Sequence, residues 1–263
     1  MKECLLLSHV FVRKFEFEKI RKINFALKHY RKYNPNSYII VTGHGLKPPN
    51  LKNLCDYYYW PEKIINSDIN YGHPILVNKG LDHAIEKGFG HILKTRLDSI
   101  HLIENLYKFS LESLKNKLYL TSQISTWNQP NLCDLFNFSQ TSFMKKCWEL
   151  ENWKCTKYSG LRYHAENFKR ACNNYDWNSC LKLNCAIKNI YNLKWIDLRP
   201  KTNWNIIKHY ENDVMENKLI NFREFLWGSK EGWIIWDDNG KLKKSYTWNI
   251  KNLVNEYDLI NLN

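Results

Sequence analysis

The eight cysteines (Cys4, Cys55, Cys133, Cys147, Cys155, Cys172, Cys180 and Cys185) form no C-x-x-C pair and no paired Cys/His spacing, so the sequence offers no zinc-finger framework. A chain of 263 residues can build its own core without disulfides, and reduced, mostly buried thiols are expected. Lys and Arg outnumber Asp and Glu by 39 to 26, a net charge of +13, yet no run of about five or six basic residues occurs. RNP and helix-turn-helix signatures are also missing. Those absences speak against a dedicated nucleic-acid arm and make nucleic acid an unlikely partner. No stretch of about 18 apolar residues exists for a membrane span, and Leu5 to Leu7 before Ser8 and His9 is too short for the apolar region of a signal peptide. The expected address is cytoplasmic, with room for peripheral contact at a membrane. There is no internal repeat and no low-complexity linker.

What remains is the composition of an ordinary globular protein, 44% hydrophobic and 25% charged, enriched in aromatics at 15% with 11 Trp, most of which should fill a core. The basic surplus attracts polyanions. Three compete: nucleic acid, an anionic membrane surface, and a phosphorylated small molecule such as a nucleotide sugar.

Strand and helix signals alternate along the first hundred residues. Cys4 to Val12 reads as a strand, Phe15 to Tyr33 as a basic amphipathic helix, Ser37 to Thr42 as a buried strand, and Asp56 to Trp60 as a third strand ended by Pro61. From Val77 to Lys87, Val77, Leu81, Ala84 and Ile85 recur every three or four residues, one face of a helix. Gly88 and Gly90 stop it, and His91 to Thr95 follows as an apolar strand leading to Arg96 and Asp98. Right-handed crossovers stack such strands in one mostly parallel sheet, with the loops Ser8–Arg13 and Thr42–His44 at its carboxyl edge. Ligands bind at that edge in open α/β sheets. Asp98 is therefore placed for a metal-diphosphate or a sugar hydroxyl, or else caps a helix beginning near Leu102.

Further on, Leu102 to Leu114 reads as a helix, Leu118 to Ser122 as a strand, and residues 132–150 as an alternating segment entering a helix near Thr141. HAENFKRA (164–171) reads as a helix opening with an acid, Glu166, near its N-terminus. Ile190 to Leu198 and Trp233 to Asp237 read as strands, and Asp238-Asn239-Gly240 turns the latter back through Lys241 to Tyr246. A last helix is expected from Asn249 to Tyr257. The expected organisation is a main unit over 1–189 and an extension over 190–263 packed on it.

The ordered arrangement of Asn78, helix, glycine, apolar strand, Arg96 and Asp98 resembles the segment of GT-A glycosyltransferases that leads to their Asp-x-Asp motif. KTRLDS (94–99) and the Asp134 segment are more particularly similar to the WavE-type lipopolysaccharide-synthesis glycosyltransferases. The resemblance implies a GT-A (Rossmann-like) α/β fold, a nucleotide-diphosphate sugar as donor and a glycan or lipid-linked acceptor. It implies donor binding by Ser8, His9, Thr42, Asn78, Lys79, Arg96 and Asp98, and catalytic roles for Glu166, as base in an inverting displacement, and Asp134. Asp98 would hold Mn²⁺ or Mg²⁺. Arg96 departs from the pattern, which has an acid there, so metal independence is equally compatible: the guanidinium either pairs with phosphate itself or anchors the strand end on an acid. A non-catalytic basic module for nucleic acid or an anionic surface is the alternative. A nucleotidyltransferase ranks last, because its Gly-rich signature near the first strand is missing.

Overall fold

The computed structural model describes residues 2–8, 17–45, 47–48, 50–62, 69–97, 99–101, 105–121, 124–125, 131–132, 134–150, 160–174, 176–187, 195–197, 225–229, 232–236 and 242–247. In chain order the elements are β1 (Cys4–Ser8), α1 (Phe17–Tyr33), β2 (Tyr38–Thr42), α2 (Leu51–Leu54), β3 (Tyr57–Tyr59), α3 (Ile69–Glu86), β4 (His91–Arg96), β5 (Ser99–His101) and α4 (Leu106–Leu114). They continue with β6 (Tyr119–Thr121), β7 (Ile124–Ser125), β8 (Asn131–Leu132), β9 (Phe136–Gln140), α5 (Thr141–Cys147), α6 (Gly160–Ala171) and α7 (Trp177–Asn184). The last are β10 (Cys185–Ile187), β11 (Trp195–Asp197), β12 (Phe225–Ser229), β13 (Gly232–Trp236) and β14 (Leu242–Thr247).

Seven strands form one sheet in the order β10-β6-β9-β4-β1-β2-β3. All pairs are parallel except those of β9, which runs antiparallel to both β4 and β6. The protein is thus mixed α/β with a mostly parallel sheet flanked by helices, as the alternation of strand and helix signals predicts. Period-two alternation in β1 and β2 divides the core. Leu5, Leu7, Ile39 and Val41 face Ile23, Ala26, Leu27 and Tyr30 of α1 and Leu106 and Tyr107 of α4. Cys4, Leu6 and Ile40 face Val77, Leu81 and Ala84 of α3, with Met144, Ala165 and Phe168 beyond. Every one of these strand residues is fully buried, each large one worth ~2 kcal/mol of hydrophobic stabilisation.

Helix α3 begins at Ile69 rather than Val77 and carries Pro74 within it. Its close seat on the sheet requires Gly80, where an added Cβ would stand 2.3 Å from Leu6 Cδ1. Gly88 ends the helix in the left-handed region at φ 73°, as a C-cap glycine should. Ile85, expected on the buried face, is 45% exposed; the face narrows to Val77, Leu81 and Ala84. Between β4 and α4 the chain makes the short strand β5, so α4 begins at Leu106 with Asn105 as its N-cap. The helix expected from near Leu102 thus starts later than the sequence suggests, and Asp98 lies outside the described residues.

The tail contributes β11, which pairs antiparallel with β5, and the three-stranded sheet β12-β13-β14. The hairpin expected after Asp237 is thus present, while its turn and the helix expected over 249–257 lie outside the described residues. Cys4, Cys55, Cys147, Cys180 and Cys185 are free and buried, and Cys172 is free and half-buried. Cys133 and Cys155 lie outside the described residues.

Candidate functional site

The carboxyl ends of the parallel strands gather polar side chains that a sheet interior would not tolerate. Ser8 ends β1, in register with Thr42 at the end of β2 and with Arg96 at the end of β4. Because β9 runs the other way, the residues just before it arrive at this same edge: Thr95 pairs with Phe136, so Asp134 lies beside the ends of β4 and β1. His73 comes down on the group from α3. Ser8 Oγ lies 2.9 Å from His73 Nε2, His73 Nδ1 lies 3.4 Å from Asp134 Oδ2, and Arg96 Nη1 reaches the same carboxylate oxygen at 3.2 Å.

Beneath this row, the fully buried Lys94 donates from Nζ to the main-chain carbonyl of Asp134 and stands 4.5 Å from the ring centre of Trp148. Trp148 also meets the ring of His164 at 4.4 Å and, in an edge-to-face contact, that of His73 at 5.4 Å. His164 is tied in turn to the hydroxyl of Tyr119 at 2.7 Å.

Charge organises the cluster. Burial alone would raise the pKa of Asp134, but the Arg96 charge, the His73 hydrogen bond and the Lys94 charge outweigh it and hold the carboxyl well below its usual range. Burial and the neighbouring Lys94 push His73 down to about 4, against the pull of Asp134. At neutral pH, then, a carboxylate is flanked by two cations and a neutral imidazole. A carboxylate can only accept, so His73 carries its proton on Nδ1 and leaves Nε2 to accept from the Ser8 hydroxyl. Ser8, His73 and Asp134 stand in the order of an acyl-transfer triad. Ser8, however, has no exposed surface, and its single hydroxyl proton is shared between His73 Nε2 and the carbonyl of Thr95, 3.2 Å away, so its oxygen is not presented to a carbonyl substrate.

Of the residues singled out from the sequence, Ser8, Thr42, Arg96 and Asp134 are brought to one edge. Thr42 Oγ1 is buried with no hydrogen-bond partner among the described residues, a polar atom at the site that a ligand could satisfy. Arg96 does what one of its two expected roles requires, anchoring on an acid. Asn78 is near but turned inward: its amide donates to the carbonyls of Pro74, at 2.8 Å, and Trp148, fastening α3 to the end of α5. Lys79 projects elsewhere, its Nζ 5.9 Å from the ring centre of Tyr59. Glu166 does not open its helix. Helix α6 starts at Gly160, which puts Glu166 beyond reach of the dipole at the first turn and in an ion pair with Lys169 at 2.9 Å. His9 and Asp98 lie outside the described residues.

His73 was not among the residues chosen from the sequence. The signal was present: the stripe Val77, Leu81, Ala84 carried back one turn lands on His73, and Pro74 beside it disguises the helix.

No family profile matches the chain, and no curated protein matches it. Among solved structures it is similar to the 4-diphosphocytidyl-2C-methyl-D-erythritol synthase of Anaerococcus prevotii (TM-score 0.48, 9% identity, 80% of this chain and 98% of that one). It is similar also to a glycosyltransferase involved in glycosylation of the major capsid of PBCV-1 (0.47, 13%, 80% and 99%). A third is the nucleoside-diphosphate-sugar pyrophosphorylase of Vibrio cholerae (0.47, 9%, 78% and 99%). No residue role is carried over from them.

Among the described residues no three His, Cys, Asp or Glu side chains stand close enough together to hold a metal ion. The chemistry of the cluster does not fit one either: its carboxylate is engaged by Arg96 and His73, and a divalent cation there would face Arg96 and Lys94.

Proposed function

We propose that the chain is a nucleotide-sugar-using transferase, specifically a glycosyltransferase moving a sugar from a nucleotide diphosphate to a glycan or lipid-linked acceptor. One observation carries this reading: Arg96, anchored on Asp134, stands at the carboxyl end of β4 beside the ends of β1 and β2, the edge where open α/β sheets receive ligands. A guanidinium in that place is suited to a diphosphate, whose oxygens it can take two at a time. The likeness of KTRLDS and of the Asp134 segment to the WavE-type enzymes agrees with it, as does the net charge of +13.

In this reading Arg96 neutralises the departing diphosphate as the glycosidic bond breaks, work that needs preorganised positive charge in a site shielded from water. Asp134 serves as its anchor rather than as a base, because a carboxylate held so firmly ionised accepts a proton poorly. Glu166 is the proposed base, which would make the reaction a single displacement with inversion at the anomeric carbon. A divalent cation on Asp98 is a separate expectation of the family likeness, and no step above depends on it.

The test is turnover. Purified chain is incubated with a set of UDP-, GDP-, dTDP- and CMP-linked sugars, and release of free nucleotide is measured with and without Mn²⁺ and with EDTA. One donor should be consumed, with Arg96→Ala slower by about 100-fold or more, a transition-state charge contact worth roughly 3 kcal/mol. Glu166→Gln should lose activity at unchanged nucleotide affinity. Full activity in Arg96→Ala would remove the proposed role of the cluster.

A further inference from the structure

We propose that His73 is the positioning residue of this site: its ring fixes the Asp134 carboxylate that holds Arg96 against an anionic group of the nucleotide. The proposal rests on the transferase reading for the identity of that ligand.

An arginine side chain has many rotamers, and holding one in place before the ligand arrives lowers the entropic cost of binding. Here the holding group is a single oxygen, Asp134 Oδ2, approached by Arg96 Nη1 at 3.2 Å and by His73 Nδ1 at 3.4 Å. Asp134 sits in the turn before β9 rather than in the sheet, so its orientation has to be imposed from outside. Lys94 fixes its main chain by donating to the carbonyl, and His73 fixes its side chain. His73 in turn is held at three points: Nε2 by the Ser8 hydroxyl, its ring by an edge-to-face contact with Trp148, and its backbone by helix α3. Both ring nitrogens are engaged within the protein, so the imidazole acts through Asp134 and Arg96 rather than on substrate. The line Ser8, His73, Asp134, Arg96 joins β1, α3, the turn before β9 and β4, and its last member is the most exposed: the Arg96 side chain is 22% accessible, against 14% for His73 and Asp134.

The two ring contacts can be separated by substitution. The amide nitrogen of Asn falls near the place of Nδ1, and that of Gln near the place of Nε2. His73→Asn keeps a donor toward Asp134 and loses Ser8, whereas His73→Gln loses Asp134 and meets Ser8 with an N–H donor, the hydroxyl then donating to the Thr95 carbonyl alone. Nucleoside-diphosphate affinity is measured calorimetrically for the wild type, both variants, Arg96→Ala and the His73→Gln/Arg96→Ala double variant, with thermal midpoints recorded alongside. Affinity within about threefold of wild type in His73→Asn, a loss of about tenfold or more in His73→Gln, and a double variant no weaker than Arg96→Ala alone are expected, since residues acting in series are non-additive. Equal losses in the Asn and Gln variants, or additive losses in the double variant, would overturn the role of His73 while leaving the transferase reading intact. A wild type that binds no nucleoside diphosphate would overturn both. Nitrogen-15 NMR of the wild-type histidines gives an arm independent of any variant's folding: His73 is expected as the Nδ1–H tautomer, and the Nε2–H tautomer would refute the arrangement.

Discussion

Three sealed histidines and the largely buried His73 are held in the neutral form in this protein, and acid should unfold it for that reason. His29, His101 and His164 have at most 3% exposure. His29 Nε2 donates to the carbonyl of His101 at 3.2 Å, and His101 Nε2 lies 3.0 Å from Thr95 Oγ1. Burial pushes His29 and His101 down to about 4, in each case against a carbonyl contact that favours the charged form. Burial and Lys94 push His164 to about 3, and His73 stands at about 4. The unfolded chain takes up these protons near pH 6.5, well before the native state does, so the stability they contribute is complete above that pH. It is lost as the pH falls towards 4. A group moved that far contributes roughly 3 kcal/mol, and four together approach the whole stability of a domain, about 5–15 kcal/mol. Urea unfolding followed by tryptophan fluorescence from pH 7.5 to 5 should show a plateau and then a fall that steepens toward about 5 kcal/mol per pH unit, the limit for four protons. His164→Phe strands the Tyr119 hydroxyl and should cost about 1–3 kcal/mol at pH 7.5, yet fall less steeply, by about a quarter. Stability flat between pH 7 and 5, or an unchanged slope in His164→Phe, would refute the reasoning.

Three other outcomes follow from packing and pairing. Asp134→Asn removes a carboxylate that both Arg96 and His73 contact, and should lower stability by about 3 kcal/mol at neutral pH, read by urea midpoint. Gly80→Ala drives a Cβ to 2.3 Å from Leu6 Cδ1, and the displaced helix α3 should cost about 1–3 kcal/mol and weaken any ligand held at Ser8 and His73. Gly88 and Gly90 both have open space around an added Cβ, but only Gly88 has a positive φ, 73°. Gly88→Ala should therefore cost about 1 kcal/mol while Gly90→Ala stays within about 0.5 kcal/mol of wild type.

The first two central strands are legible because each is a short, largely apolar run, Cys4 to Ser8 and Tyr38 to Thr42, which announces a strand buried on both faces; His91 to Arg96 is marked instead by Ile92 and Leu93 directly after the glycine stop. The helix–glycine–strand passage into Arg96 was legible for the same reason, and with it the polar residues at the strand ends. The sequence says less where tertiary contacts decide. Asn78 stands at the right place in the chain for a donor contact, but the nearness of Trp148 turns its amide inward. HAENFKRA suggests a helix opening near Glu166, but the helix already runs from Gly160, a start with no local capping signal in the sequence. His73 was passed over because Pro74 makes the first turns of α3 read as loop, although an early proline leaves the rest of a helix intact. Its importance comes from an antiparallel β9 that delivers Asp134 to the same edge, a long-range pairing with no local mark.

The central claim is that the carboxyl edge of this sheet receives a nucleoside diphosphate through Arg96. A thermal-shift panel of UDP, GDP, dTDP and CMP, each with and without Mn²⁺ and repeated on Arg96→Ala, tests it most directly, since a ligand at 100 times its Kd adds about 2.7 kcal/mol. Selective stabilisation by one of the three diphosphates, lost in Arg96→Ala, is the predicted result, with the monophosphate CMP as the control. No stabilisation by any nucleotide, together with salt-sensitive binding of DNA or RNA, would contradict it.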